Sequence, residues 1–198
     1  MAVLKQMPVV TISRQYGAGG RSVAKGLSEK LGLKYYDVDF IRLTAQISGY
    51  SEEEVRREGE DMAKGASFIN TFLTNVSFEN PYQAIFNAQK AVILGLAEKP
   101  CILVGRCSNI ILRDAGIPSF DVFLTGSKAY RVEQAAKLAE NGDTDLEKYV
   151  DRRDHWRRNY YKSFTEHEFG EAGDYHLCLD VSFFGVERCV EIIAELLS

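Results

Sequence analysis

Short apolar runs alternate along this chain with longer stretches that carry apolar residues at helical spacing. The first run, Val9-Val10-Thr11-Ile12, is β-branched and reads as a buried strand. It breaks into a glycine-rich turn. A helical pattern comes next, with Val23, Ala24, Leu27 and Leu31 on one face and Gly32 as its stop. Leu33 to Asp37 reads as a second strand ending in an acid, and Val38 to Ile47 as a helix. Residues 49–80 change character. Ser51-Glu52-Glu53-Glu54 has the form of a capping box on a charged helix. Gly65, Asn70, Asn75, Asn80 and Asn87 then punctuate the chain, so a helical insert is expected there. Pro81 to Ala97 reads as a long helix with Ile85, Val92, Ile93 and Leu96 along its stripe. Gln89 falls on that stripe, where a satisfied buried glutamine is favoured over a group facing a cleft.

Cys101 to Val104 is the third expected strand, Asn109 to Arg113 a short helix, Phe120 to Leu124 the fourth strand and Tyr175 to Val181 the fifth. Thr125-Gly126-Ser127 can cap a helix that contains Tyr130, Arg131 and Leu138. Asn141-Gly142-Asp143 ends it, and Thr144 with Glu147 forms a capping box for the next helix. Val186, Val190, Ile193 and Leu197 mark a closing amphipathic helix. Strand–helix alternation of this kind predicts an α/β protein with a parallel sheet and helices on both faces, with ligands bound beyond the carboxyl ends of the strands. The glycine loop, Asp37, Arg106 and Arg131 fall at that edge.

Composition narrows the picture. A length of 198 residues suits one domain, or one domain with a helical insertion. The net charge of -4 gives no general attraction to a nucleic acid polymer or an anionic membrane, so any anion site must be local. Cys101, Cys107, Cys178 and Cys189 form no CxxC and match no zinc spacing, and reduced thiols in a cytoplasmic protein are expected. Residues 1–8 lack the apolar region of a signal peptide, and no apolar run approaches membrane-spanning length.

Two stretches carry chemistry. Strand, glycine loop and helix, over Arg14-Gln15-Tyr16-Gly17-Ala18-Gly19-Gly20-Arg21-Ser22, is the layout that binds phosphate on backbone N–H groups. It departs from Gly-x-x-x-x-Gly-Lys-Ser/Thr in having no lysine. The second stretch is Asp151 to Tyr161, with four arginines within seven residues. Arg153 and Arg157 are four apart and share a helix face, with Arg152 beside them. Guanidinium groups bind phosphate bidentately and neutralise charge on a transferring phosphoryl group. The plainer account is a solvated helix on which Asp151, Asp154 and Glu147 pair some of the arginines. Beside a phosphate-type loop the anion-binding account is preferred, and His155 and Trp156 are expected to be structural or rim residues.

Taken in order, Ile12 to Arg21, Tyr35-Tyr36-Asp37, Val104-Gly105-Arg106-Cys107, Phe123-Leu124, Arg153-Asp154 and Tyr160-Tyr161 resemble the cytidylate kinase-like family, relatives of the P-loop nucleoside-monophosphate kinases. The resemblance runs from about residue 9 to the C-terminus. It implies a three-layer αβα P-loop fold with a five-stranded parallel sheet, a helical monophosphate-binding insert at about 49–80 and an arginine-bearing lid at about 151–170. It implies transfer of the ATP γ-phosphate to a monophosphate such as CMP or dCMP, with Mg²⁺. By position, Gly17, Ala18, Gly19, Gly20, Arg21 and Ser22 would cradle the donor phosphates, with the Ser22 hydroxyl on Mg²⁺ and Arg131 near the donor nucleotide. Asp37, Arg42 and Arg106 fall near acceptor-binding positions. Arg153 and Arg157 would stabilise transition-state charge. Aligned without gaps to the cytidylate kinase pattern, three positions depart: Gly20 stands at the lysine position, Arg14 at the first loop glycine, and Val104 where an acid precedes Gly-Arg. Arg14 and Arg21 are the candidates to replace the lysine, Arg14 first because it lies in the loop.

Two other functions compete. A nucleotide-binding protein of little or no kinase activity, acting as a sensor or partner, is favoured by the missing lysine, while the retained arginines favour a phosphotransferase. A dinucleotide-dependent oxidoreductase is suggested by Gly17-x-Gly19 with Asp37 further on. Against it, Ser22 replaces the third glycine, four residues separate Ile12 from Gly17, and the arginine stretch goes unexplained.

Overall fold

The computed structural model describes residues 8–37, 39–56, 81–138 and 145–198. Each apolar run forms a strand: β1 Val9–Arg14, β2 Lys34–Tyr36, β3 Cys101–Val104, β4 Ser119–Thr125 and β5 Leu177–Asp180. The helices include α1 Gly20–Leu31, α2 Asp39–Ser48, α3 Pro81–Leu96, α4 Ser108–Asp114, α5 Lys128–Lys137, α6 Leu146–Thr165 and α7 Val181–Leu197. The strands make one parallel sheet in the order β2-β3-β1-β4-β5, so β1 is central. Val9 pairs in register with Cys101 on one side and Ser119 on the other, which brings the carboxyl ends of β1, β3 and β4 to one edge.

Alternation along the strands sets the two layers. Val10, Ile12, Ile102, Val104, Val122 and Leu124 pack with Val23, Ala24 and Leu27 of α1 and with Cys189, Val190, Ile193 and Leu197 of α7. Val9, Cys101 and Leu103 turn the other way, onto Phe40, Phe86, Ile93, Ile110, Tyr160 and Tyr161 from α2, α3, α4 and α6. Both faces of the sheet are covered, as the β-branched runs require.

Local signals explain most boundaries. Gly32, at φ 68°, ends α1 by donating its N–H to the Ser28 carbonyl. The Ser51 hydroxyl accepts from the Glu54 N–H while the Glu54 carboxylate accepts from the Ser51 N–H, the reciprocal capping box expected there. Gln89 is buried and accepts from the Tyr160 hydroxyl at 3.2 Å, the satisfied arrangement. Asn87 does not interrupt the chain. It lies within α3 and accepts from the Gln83 amide.

Other boundaries differ from the sequence reading. The cap of α6 is Asp145, which accepts from the Lys148 N–H, so the helix starts one residue later than a Thr144 box would set it. Tyr175 precedes β5, capping a 3₁₀ turn over Ala172–Asp174 by donating its N–H to the Ala172 carbonyl. At the other end of that strand Asp180 caps α7, accepting from the Ser182 and Phe183 N–H groups. Gly65, Asn70, Asn75 and Asn80 of the expected insert, and the Asn141 to Asp143 stop with Thr144, lie outside the described residues. Among the described residues no helix is long and apolar enough to cross a membrane.

Candidate anion-binding site

The glycine loop leaves the carboxyl end of β1 and turns directly into α1. Gly19, at φ 73°, takes the cap position, contributes no side-chain cap, and no acid stands in the first turn. The first N–H groups of α1 therefore lack intrahelical acceptors and present the positive end of the helix. Gly17, at φ 79°, passes so close to α5 that a Cβ there would lie 2.3 Å from the Arg131 carbonyl oxygen. Only glycine fits that position. Ser22 is exposed on the first turn, and Ala18 is buried beneath the loop.

Arg14 does what the sequence alone does not show. Its stem crosses the start of α1, where a Cβ on Gly20 would stand 2.7 Å from Arg14 Cγ. Its guanidinium lies against the turn after β3, where a Cβ on Gly105 would stand 2.1 Å from Nη1. Glycine at the lysine position is thus the space that the Arg14 side chain needs. Arg14 pairs with Asp37 at 3.2 Å, and the other Asp37 oxygen takes Arg21 Nε at 2.6 Å. One nearly buried carboxylate therefore holds both candidate replacements for the lysine. A cavity of about 420 Å³ opens beside this pair, lined by Arg21, Ser28, Lys34, Tyr35, Asp37 and Asp39.

The turn after β3 adds a third cation. Gly105, Arg106 and Cys107 are all left-handed, at φ 77°, 59° and 56°. For the two non-glycines this costs roughly 1–2 kcal/mol each. Strain of this kind persists where surrounding contacts over-determine it, and it concentrates at binding sites. The Arg106 guanidinium sits 5.9 Å from the Tyr160 ring centre, close enough to Arg14 to affect its titration.

α6 supplies the rest. Arg153 and Arg157 share a face, as their spacing predicts, and both stack on the Tyr16 ring, at 5.2 and 5.3 Å. Arg157 Nη1 donates to the Arg14 carbonyl at 2.8 Å. Burial lowers the Arg14 pKa, Asp37 offsets part of that, and Arg106, Arg21 and Arg153 lower it further. Arg157 is pushed down to about 9, chiefly by burial and then by Arg14. At about 9, Arg157 remains cationic at neutral pH. Cations crowded in this way are relieved by a bound anion.

Two expected site residues are engaged apart from the arginine cluster. Arg42 is exposed on α2, with Asp39 as an ion partner at 3.9 Å. Arg131 is buried, with Nε on the Gly126 carbonyl, Nη1 on the Tyr16 carbonyl, and an ion pair to Asp154. Asp154 also accepts from the Tyr16 N–H at 2.7 Å. Asp154 therefore pairs with α5 rather than with an arginine of its own helix, and Asp151 pairs with Lys128. His155 is exposed against Asn159, and Trp156 lies beside Arg152 and Arg153, both rim placements. Sequence reasoning assigned no role to Tyr16, and only the number of arginines on α6 hinted that one acid there is spoken for.

The fold recurs in solved structures. An uncharacterized protein from Eubacterium ventriosum superposes with a TM-score of 0.67 at 20% identity, covering 96% of this chain and 97% of the other. Shikimate kinase from Acinetobacter baumannii, bound to shikimate, gives 0.55 at 13% identity, covering 98% and 94%. Deoxyadenosine kinase from M. mycoides, with dCMP and dCDP, gives 0.52 at 12% identity, covering 94% and 97%. Likeness at this identity shows the P-loop kinase fold. Comparison with functionally curated proteins gave no match. The glycine loop, the Gly105-Arg106 turn and the arginines of α6 all fall within residues 9–183, which match the cytidylate kinase-like family, and this chain belongs to that family.

Proposed function

We propose that this protein is an ATP-dependent phosphotransferase whose acceptor is a nucleoside monophosphate, with CMP and dCMP the first candidates. The observation that carries the reading is the convergence of Arg14, Arg21, Arg106, Arg153 and Arg157 around an uncapped helix start that ends a central parallel strand. An acidic protein that gathers five guanidiniums at one edge is built to hold more negative charge than a single phosphate carries. A donor polyphosphate beside an acceptor phosphate supplies that charge.

The residues fit ATP and Mg²⁺. Backbone N–H groups from Gly19 onward would hold the donor phosphates, with Arg153 and Arg157 above them. Among the described residues no group of three acids, histidines or cysteines stands ready for a metal ion. Mg²⁺ keeps its waters and takes one or two protein ligands plus phosphate oxygens, and the exposed Ser22 hydroxyl is the ligand the loop offers. The metal would neutralise charge on the transferring phosphoryl group. The chain's own part is positioning. Arg106 and Asp37 would orient the acceptor, with Arg42 at the outer rim. Arg14 would take the cationic role at the helix start, and Arg153 and Arg157 would face the charge that develops in transfer. Arg131 would act through the loop it anchors, at the donor side.

A second reading has its own observation. Arg14 and Arg21 are both held on Asp37, and in that state neither is free for the donor. A nucleotide-binding sensor or partner protein would show the same arrangement with no turnover. A transfer assay with ATP against CMP, dCMP, UMP and AMP separates the two. The proposal predicts ADP formation that depends on one of these monophosphates. Tight ATP binding with no acceptor-dependent ADP would establish the sensor reading instead.

A further inference from the structure

The arginine-bearing stretch is expected to act as a lid, yet it is the middle of a continuous twenty-residue helix bonded to the glycine loop. The joint is Asp154. One of its oxygens accepts from the Tyr16 N–H at 2.7 Å, and the other pairs with Arg131. Arg131 in turn donates to the Tyr16 carbonyl at 3.2 Å and to the Gly126 carbonyl at 3.0 Å. Both backbone groups of Tyr16 are thereby fixed, one by each member of a buried ion pair. The Tyr16 ring is fixed as well. It packs on Tyr149 edge-on at 5.4 Å and lies under Arg153 and Arg157, the neighbours of Asp154 on α6. Gly17 then has no room to move toward α5, because the Arg131 backbone already fills the position of a Cβ.

We infer that Asp154 is a positioning residue: through Tyr16 it locks the glycine loop to α6, so that Arg153 and Arg157 meet the loop-bound anion in a preset geometry rather than by lid closure. The inference rests on the phosphotransfer reading for its kinetic consequence, though not for its structural one. A buried pair broken on one side leaves an uncompensated charge, so a single change at Asp154 risks unfolding. Removing both charges avoids this. Asp154→Asn with Arg131→Met keeps an oxygen that accepts from the Tyr16 N–H. Asp154→Leu with Arg131→Met keeps similar bulk and removes that acceptor. The two doubles share the loss of Arg131, so their difference reports the Tyr16 bond alone.

Because a displacement of about 1 Å at a reacting group costs on the order of 100-fold in rate, the Leu double should show a kcat at least about 50-fold below that of the Asn double, with KM for ATP within about threefold. The amides of residues 16–19 should exchange at least about tenfold faster in the Leu double, while both doubles melt cooperatively. Equal kcat and equal exchange in the two doubles, or a loss confined to KM, would overturn the inference. If the wild-type chain transfers no phosphate to any acceptor, the phosphotransfer reading fails and amide exchange alone decides. Faster exchange in the Leu double supports the lock, and equal exchange refutes it.

Discussion

The lysine position of the loop can be tested by moving its cation back. Gly20 has no room for a side chain while Arg14 is present, because a Cβ there would meet Arg14 Cγ at 2.7 Å, Cδ at 3.1 Å and Cβ at 3.2 Å. Gly20→Lys alone must push the Arg14 stem aside and break its 3.2 Å contact with Asp37. Arg14→Gly alone removes the cation, and an aimed donor at such a site is worth roughly 3–4 kcal/mol in the transition state, or about 10²–10³ in rate. Arg14→Gly with Gly20→Lys clears the space and supplies a new cation from the helix start, restoring the Gly-x-x-x-x-Gly-Lys spacing of a lysine-bearing phosphate loop. Since the two side chains contend for one volume, their effects cannot add. The double should recover at least about tenfold in kcat/KM for ATP over Arg14→Gly, and Gly20→Lys alone should be impaired. Arg21→Ala serves as the comparison, because Arg21 is half-exposed and should cost less than Arg14→Gly. Additive effects in the cycle, or a larger loss from Arg21→Ala than from Arg14→Gly, would refute the assignment of Arg14 as the replacement cation.

The same geometry sets other expectations. Gly17→Ala combines a left-handed backbone with a Cβ 2.3 Å from a backbone carbonyl, so it should lose more than about 2 kcal/mol in denaturant unfolding and weaken ATP binding. A loss under about 0.5 kcal/mol would show that the loop is not held against α5. Inorganic tripolyphosphate at about 100 times its Kd should stabilise by about 2.7 kcal/mol and raise Tm by roughly 5–10 °C. The rise should shrink with added NaCl, and no rise at low salt would contradict a built anion site. Burial raises the Asp121 pKa above its ordinary 3.8, against the hydrogen bonds from Thr11 and Ser119 that lower it. The folded state then holds a proton that the unfolded state has released, and this group's contribution to stability falls as pH rises above about 4. Asp121→Asn keeps an acceptor and cannot ionise, so its stability relative to wild type should improve between pH 4 and pH 7. A constant difference would remove burial as the cause.

Much of the fold was legible because its determinants are local. Apolar runs of four or five residues became strands β1, β3 and β4 with small changes at their ends, and the Ser51–Glu54 and Ser127 caps formed where the residue types placed them. The boundaries that moved, at Asp145 and Tyr175, lie where two polar residues compete for one cap or where an aromatic leaves the ladder for a turn. The glycine loop and the shared face of Arg153 and Arg157 were also readable, since each rests on spacing within one element. The partners were not. Asp154 meets Tyr16 across 138 residues, and Arg14 meets Asp37 across 23, so no local pattern announces either bond. Arg131 illustrates the difference. Its place at the carboxyl edge of the sheet, with the glycine loop, was foreseen, while its commitment to Asp154 depends on α5 and α6 packing together. The left-handed Arg106 and Cys107 were invisible for the same reason, since ordinary side chains adopt that backbone only under tertiary constraint.

The central claim is that five converging arginines and a lysine-free glycine loop make a working phosphoryl-transfer site. The most direct measurement is transfer of the γ-phosphate from labelled ATP, with Mg²⁺, to CMP and dCMP, compared with UMP and AMP. The account predicts a labelled diphosphate from CMP or dCMP that falls by about 10²-fold or more in Arg157→Ala. No labelled product from any of the four monophosphates, in a protein that tripolyphosphate stabilises, would contradict it.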